Sequence, residues 1–308
     1  MENYLPVRIG TLRPGDVVSF DIFILVAEKY VHYIRTSDPF DPDRIERLRS
    51  KGVKKLYIPE HAEQAYLGYL DRGLGELQNQ SISVQDRSAL VSSAITTEAE
   101  NVIHNVQTAQ GYHHTESRIE KVVNFLTSES GALKTILGTT GAALDNFQHA
   151  TNVTSLAIGL ANHLGVTNPR DLLDLGLAGL LHDAALTRLG FRSDVDPKTL
   201  TGEDLKRYEE HPTAVAYDLA DKPYVNKSVL DLIANHEEMG DGAGYPNRKR
   251  ISTLPLTSQI LNLCNAFDKF WSKSDMSMAD ASKLFFKQKI GLFELSHMQS
   301  LSQVIQAK

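Results

Sequence analysis

Between Leu172 and Leu181 runs the longest apolar stretch of the chain, interrupted by Asp174 and closed by His182-Asp183. A helix that spans a bilayer needs roughly 20 consecutive apolar residues, so this segment is too short to be one. Apolar on nearly every side, it predicts a helix buried at the centre of a bundle. An imidazole and a carboxylate at the end of such a helix are costly to bury unless they are paired or bound to a metal. The stretch therefore constrains the core and the chemistry together.

The surrounding pattern is helical. Val153, Leu156, Ala157, Leu160 and Leu164 recur at threes and fours, and the same stripe carries His149. Asp145 lies one turn before His149 and faces the same way, as a ligand would, although a carboxylate in a first helical turn is equally explained by the helix dipole. Further helices are predicted near 203–210, 213–221, 226–238, 257–271 and 278–288. His211-Pro212 reads as the close of the first of these, and His236-Glu237-Glu238 ends the apolar pattern of Val229, Leu232 and Ile233. Asn265 and Asp268, three apart, share a helix face. The remaining histidines, His32, His61, His104, His113, His114, His163 and His297, read as ordinary hydrogen-bonded or solvated residues. Glu237-Glu238 by itself reads as a solvated helix face.

The first 80 or so residues differ. Val17-Val18-Ser19-Phe20, Tyr30 to Ile34 and Lys54 to Ile58 read as short strands, and Asp41-Pro42 predicts a capped helix that stops at Gly52. From Gln80 to about Thr127, Ser, Thr, Glu, Gln and Asn dominate, with sparse apolar residues at helical spacing. The expectation is a mainly α protein in three parts: a small α/β regulatory domain over 1–79, a helical connector over 80–137 that is suited to pairing two protomers, and a helical bundle over 138–308.

Mixed charge with a formal net of −6 argues against a DNA-binding or anionic-membrane-binding surface. One cysteine, Cys264, excludes a disulfide framework and a cysteine-rich zinc site. With a start that lacks a basic segment followed by an apolar run, the expected address is the cytoplasm.

Order and spacing sharpen the reading. His149, His182-Asp183, His211-Pro212, His236-Glu237-Glu238 and the loop Asp241-Gly242-Ala243-Gly244-Tyr245-Pro246 form one ordered set. This set resembles the HD-GYP family of HD-type helical bundles, over roughly residues 145 to 272. The opening segment, Leu5 to Gly15, resembles a small domain often found ahead of such units. The resemblance implies a phosphodiesterase that opens cyclic di-GMP to pGpG or GMP with two or three divalent metals, iron or manganese first and zinc as an alternative. Two metals about 3.5 to 4 Å apart generate a hydroxide and stabilise charge on the attacked phosphate.

Carried over by position, His149, His182, Asp183, His211, His236, Glu237 and Asn265 are implied metal ligands. Asp183 bridges, and Asp145 falls where three-metal members have glutamate. Asp183, Arg188 and Asp241 are the implied catalytic residues; Arg188, Gly244, Tyr245 and Pro246 would contact the nucleotide. The Gly-Tyr-Pro loop also implies a docking surface for a GGDEF-type or other signalling protein.

The departures are Glu237 in place of a second histidine, Asn265 in place of a ligand aspartate, Gly240 in place of a large residue, and Leu186 in place of a phosphate-binding lysine, for which Arg188 could substitute. They leave a second expectation, a catalytically impaired cyclic di-GMP receptor or docking module. Another HD phosphohydrolase acting on nucleotides is disfavoured by the Gly-Tyr-Pro loop.

Overall fold

A computed structural model describes residues 3–306, and they divide into two compact units, 1–97 and 98–308. In the first, β1 (Tyr4–Arg8), β2 (Ile22–Val26), β3 (Lys29–Ile34) and β4 (Lys55–Pro59) form an antiparallel sheet in the order β1-β4-β2-β3. Ala27 and Glu28 both have positive φ. That gives the β2–β3 hairpin the twist a two-residue turn requires. Alternation along β4 turns Leu56 and Ile58 into a core shared with Leu12, Ile22, Ile34, Phe40 and Ile45.

Helix α1 (Pro42–Ser50) begins as expected: Asp41 accepts a hydrogen bond from the Asp43 amide, and Pro42 occupies the first turn. Two more helices follow, α2 (Glu63–Gly75) and α3 (Val84–Asn105), and α3 crosses the division between the units. One expectation fails. Val17–Phe20 is not a strand but irregular chain with a single bridge from Val17 to Pro39, and its apolar residues Val18 and Phe20 serve the core instead.

The second unit is helical: α4 (Ala109–Ser128), α5 (Ala132–Thr140), α6 (Asn146–His163), α7 (Pro169–Leu181), α8 (Ala184–Leu189), α9 (Gly202–Glu209), α10 (His211–Leu219), α11 (Lys227–Ala234), α12 (Leu256–Ser272), α13 (Met278–Gln288) and α14 (Leu295–Gln306). The apolar stretch is central as expected, since α7 packs against α4, α6, α11 and α12 with residues 174–181 all buried. His211-Pro212 opens α10 rather than closing α9. A proline lacks the N–H that a first helical turn leaves unused, so it fits the start better than the end. No helix among the described residues is long and apolar enough to cross a membrane.

Candidate metal centre

Four imidazoles reach the interior from four places: His149 on α6, His182 at the end of α7, His211 at the start of α10 and His236 just past α11. All are at least 98 % buried. Each is oriented through Nδ1. Backbone carbonyls of Gly179, Tyr208 and Ile233 lie 2.8, 2.5 and 2.6 Å from Nδ1 of His182, His211 and His236 respectively. A carbonyl only accepts, so these Nδ1 atoms carry the proton and, in the neutral ring, Nε2 presents a lone pair. The Nδ1 of His149 meets Oδ2 of the buried Asp268 at 2.7 Å.

The lone pairs converge. Nε2 of His211 lies 3.0 Å from Nε2 of His236, and both face Asp183 Oδ1, at 3.0 and 3.2 Å. Nε2 of His149 lies 3.1 Å from Nε2 of His182 and 3.1 Å from Asn265 Oδ1, with Asp183 Oδ2 at 3.4 Å. Burial lowers the pKa of His182 and of His211, opposed by Asp183, so these rings favour the neutral form. Acceptors facing acceptors at such distances repel unless a cation lies among them.

The donor set fits one. Bonds of about 2.1 Å at right angles place neighbouring donors about 3.0 Å apart, and imidazole with carboxylate suits divalent iron, manganese or zinc. Two groups satisfy this, Asp183-His211-His236-Glu237 and His149-His182-Asp183, with Asp183 common to both.

Burial would raise the Asp183 carboxyl, but Lys269 and the imidazoles hold it well below the usual range. Glu237 is likewise pulled against its burial to about 2, chiefly by Lys269. Burial would lower Lys269, yet Asp183 and Glu237 raise it, so its ammonium is charged.

The other expected residues lie as follows. Asn265 sits within the cluster, its Nδ2 donating to Glu237 Oε1 at 3.2 Å. Asp145 does not join: its exposed side chain caps α6, accepting from the Phe147 and Gln148 amides, which is the helix-end role left open for it. Asp241 is exposed and accepts from the Ala243 amide within its own loop. Arg188 is exposed and pairs with Asp218 at 2.9 Å, on the wall of a cavity of about 290 Å³ that Asp183, Asn146, Phe147 and Thr187 also line. Leu186 is fully buried and is not among the residues that line that cavity.

Gly244 is required where it stands, because a Cβ there would lie 2.4 Å from the Glu237 carbonyl oxygen and 2.5 Å from the Met239 nitrogen. The Tyr245 amide donates to that same carbonyl, and the Tyr245 ring lies 6.0 Å from that of His211. Tyr245 and Pro246 are half-buried, which places the loop against the centre.

Three residues do more than their sequence context indicated. Glu238 is not a solvated face residue: it is buried and accepts from the Asn247 and Lys249 amides, both at 2.8 Å, clamping the end of the loop. Asp268 orients His149 and accepts from Asn152 at 2.8 Å. Lys269 pairs with Glu237 and lies 3.5 Å from Asp183 Oδ2. Asp268 shares a helix face with Asn265, and Lys269 lies four residues after Asn265; that spacing was the available signal.

The HD domain family matches residues 134–285. Within that class, the chain's matches are those of a divergent protein similar to the HD-GYP family. It is 26% identical over 156 residues to the cyclic di-GMP phosphodiesterase PdeB of Borreliella burgdorferi, covering 47% of this chain and 41% of that protein. A cyclic di-GMP phosphodiesterase of Pseudomonas aeruginosa is 23% identical over 242 residues, 74% of this chain and 58% of that protein. The chain thus spans about half the length of the curated relatives it matches. Among solved structures, Bd1817, an HDG"Y"P protein from Bdellovibrio bacteriovorus, aligns with a TM-score of 0.80 at 26% identity, over 99% of this chain and 100% of that one.

Proposed function

We propose that the chain is a metal-dependent phosphodiesterase acting on cyclic di-GMP, with slow turnover to pGpG or GMP. The observation that carries this reading is the convergence of four imidazole Nε2 atoms on the two oxygens of one buried carboxylate, Asp183. His149, His182 and Asp183, with Asn265 as a neutral oxygen donor, would hold one divalent ion. His211, His236, Asp183 and Glu237 would hold a second. Bound there, iron, manganese or zinc supplies Lewis acidity, which acidifies water and offsets charge on a phosphodiester.

The chain's own residues do the rest. The carbonyls of Gly179, Tyr208 and Ile233 and the carboxylate of Asp268 fix the imidazoles, so little reorganisation is needed on binding. Asp183 lines the adjacent cavity, and Arg188 on its wall supplies a cation for a phosphate once released from Asp218. Gly244, Tyr245 and Pro246 cover the centre. The N-terminal α/β domain would regulate the site, α3 and α4 would pair two protomers, and the protein would work in the cytoplasm on a nucleotide, without contact to DNA or membrane.

A second reading is favoured by the neutral Asn265 and by an Arg188 already engaged by Asp218: a receptor that binds cyclic di-GMP without turning it over, docking a GGDEF-type or other signalling partner through the Gly-Tyr-Pro loop. Calorimetric titration beside a product assay, with iron, manganese and zinc in turn, separates the two. The enzyme reading expects binding with slow product formation, weakened by Arg188→Ala. Binding without product with every metal favours the receptor; fast turnover excludes it; no binding with any metal removes both.

A further inference from the structure

Lys269 carries a positive charge inside a cluster built to hold positive ions. It stands on α12, one residue after Asp268 and four after Asn265, and its side chain is 13% exposed. Its Nζ is bonded to Oε1 of Glu237 and lies 3.5 Å from Oδ2 of Asp183. The same Glu237 oxygen receives Asn265 Nδ2 at 3.2 Å. It is also the oxygen that faces the imidazole pair, 3.9 Å from His211 Nε2 and 3.6 Å from His236 Nε2. One carboxylate oxygen therefore has two claimants, an ammonium already there and an ion held by His211 and His236.

We propose that Lys269 is a built-in counter-cation that competes with the second metal ion, making the two half-centres unequal. The His149-His182-Asp183 half fills first and tightly. The His211-His236-Asp183-Glu237 half fills weakly, because the entering ion must take Glu237 Oε1 from Lys269 and then tolerate a like charge beside it in a low-dielectric interior. The charge count agrees: Asp183 and Glu237 bring two negative charges, Lys269 cancels one, and Asn265 adds none. The inference rests on the metal-centre part of the proposed function and not on its substrate.

The test is stepwise titration of the full chain, stripped with a chelator, by manganese chloride, with bound ion counted by calorimetry and by the electron paramagnetic resonance of free manganese. The wild type is expected to bind one ion tightly and a second at least about tenfold more weakly. Lys269→Met, which keeps length and removes charge, should tighten the second step about tenfold or more and the first by clearly less, since Lys269 occupies a donor oxygen of the second half and only lies 3.5 Å from Asp183 Oδ2 of the first; retention of the first step also serves as the check on folding. Lys269→Arg should keep the second step weak. Two equal steps in the wild type, or a Lys269→Met titration superimposable on it, overturns the proposal and leaves the metal centre standing. No binding in any of these proteins overturns both. If Lys269→Met does not fold, the wild-type steps alone decide.

Discussion

In the α/β unit, the side chains that leave water are overwhelmingly apolar. Its core runs from Val7 and Leu12 through Ile22, Ile34 and Phe40 to Leu56 and Ile58, and among the described residues its buried polar side chains are Thr11, Arg87, Ser88, Ser92, Thr96 and Thr97, with no histidine or carboxylate. In the helical unit, α6, α7 and α12 pack against one another, yet with α10 and the adjoining turns they bury His149, His182, Asp183, His211, His236, Asn265 and Asp268 together. Stability does not ask for such groups in a core, since each costs free energy unless compensated. Their concentration in one unit marks where the fold gives up stability for chemistry.

The contrast can be broken first at its apolar end. Leu56→Ala in β4 should cost about 2–5 kcal/mol of unfolding free energy, because the sheet cannot close the cavity it leaves, while metal content is unchanged. Denaturant unfolding with parallel elemental analysis checks both halves of that statement; a loss of metal on this substitution would mean the two units are not energetically separate.

Acid should discriminate between the units next. His182 and His211 have pKa values lowered in the folded protein, so below the unfolded value of about 6.5 the unfolded chain binds more protons than the folded one. Stability of the metal-free helical unit is thus present above that pH and lost as pH falls, by about 1–3 kcal/mol per unit. The lowered Glu237 and Asp183 act in the same direction below about pH 4.5. The α/β unit, with no buried histidine or carboxylate among the described residues, should change far less. Hydrogen exchange at pH 7 and pH 5.5 resolves the two, and equal loss in both would contradict the assignment.

Smaller effects sharpen the boundary of the site. Asp268→Asn should weaken metal binding about 10–100-fold by loosening His149, although Asp268 is not itself among the converging donors; competition against a chelator measures it, and wild-type affinity would show that His149 needs no such support. Asp145→Ala should cost about 1 kcal/mol as a lost helix cap. Its metal affinity should equal that of the wild type, and a fall of tenfold would return Asp145 to the ligand set.

Much of this was readable before the structure. The apolar run of α7 specified a central helix and Asp41-Pro42 specified the start of α1, because those features depend on local periodicity and caps; one cluster of the four histidines from His149 to His236 was implied by the resemblance of their order to the HD-GYP family. What was not readable depends on approach between distant segments. Glu238 looked like a solvated helix residue until the loop folded back onto its carboxylate, and Lys269 lies next to Glu237 only because α12 packs against α11. The direction of the Asp145 and Asp241 side chains was equally hidden: both found amides two or three residues away, a local alternative that carboxylates in turns commonly take. Val17–Phe20 misled because a short apolar run is compatible with any buried conformation.

The central claim is that the converging imidazoles and Asp183 are a metal centre, and elemental analysis of the purified full-length protein tests it most directly. The account predicts at least one transition-metal ion per chain in the wild type and none in the His182→Ala, Asp183→Ala double variant, with the fold of both confirmed by circular dichroism. A folded double variant that retained the wild-type metal content, or a wild type that took up no iron, manganese or zinc on reconstitution, would contradict it.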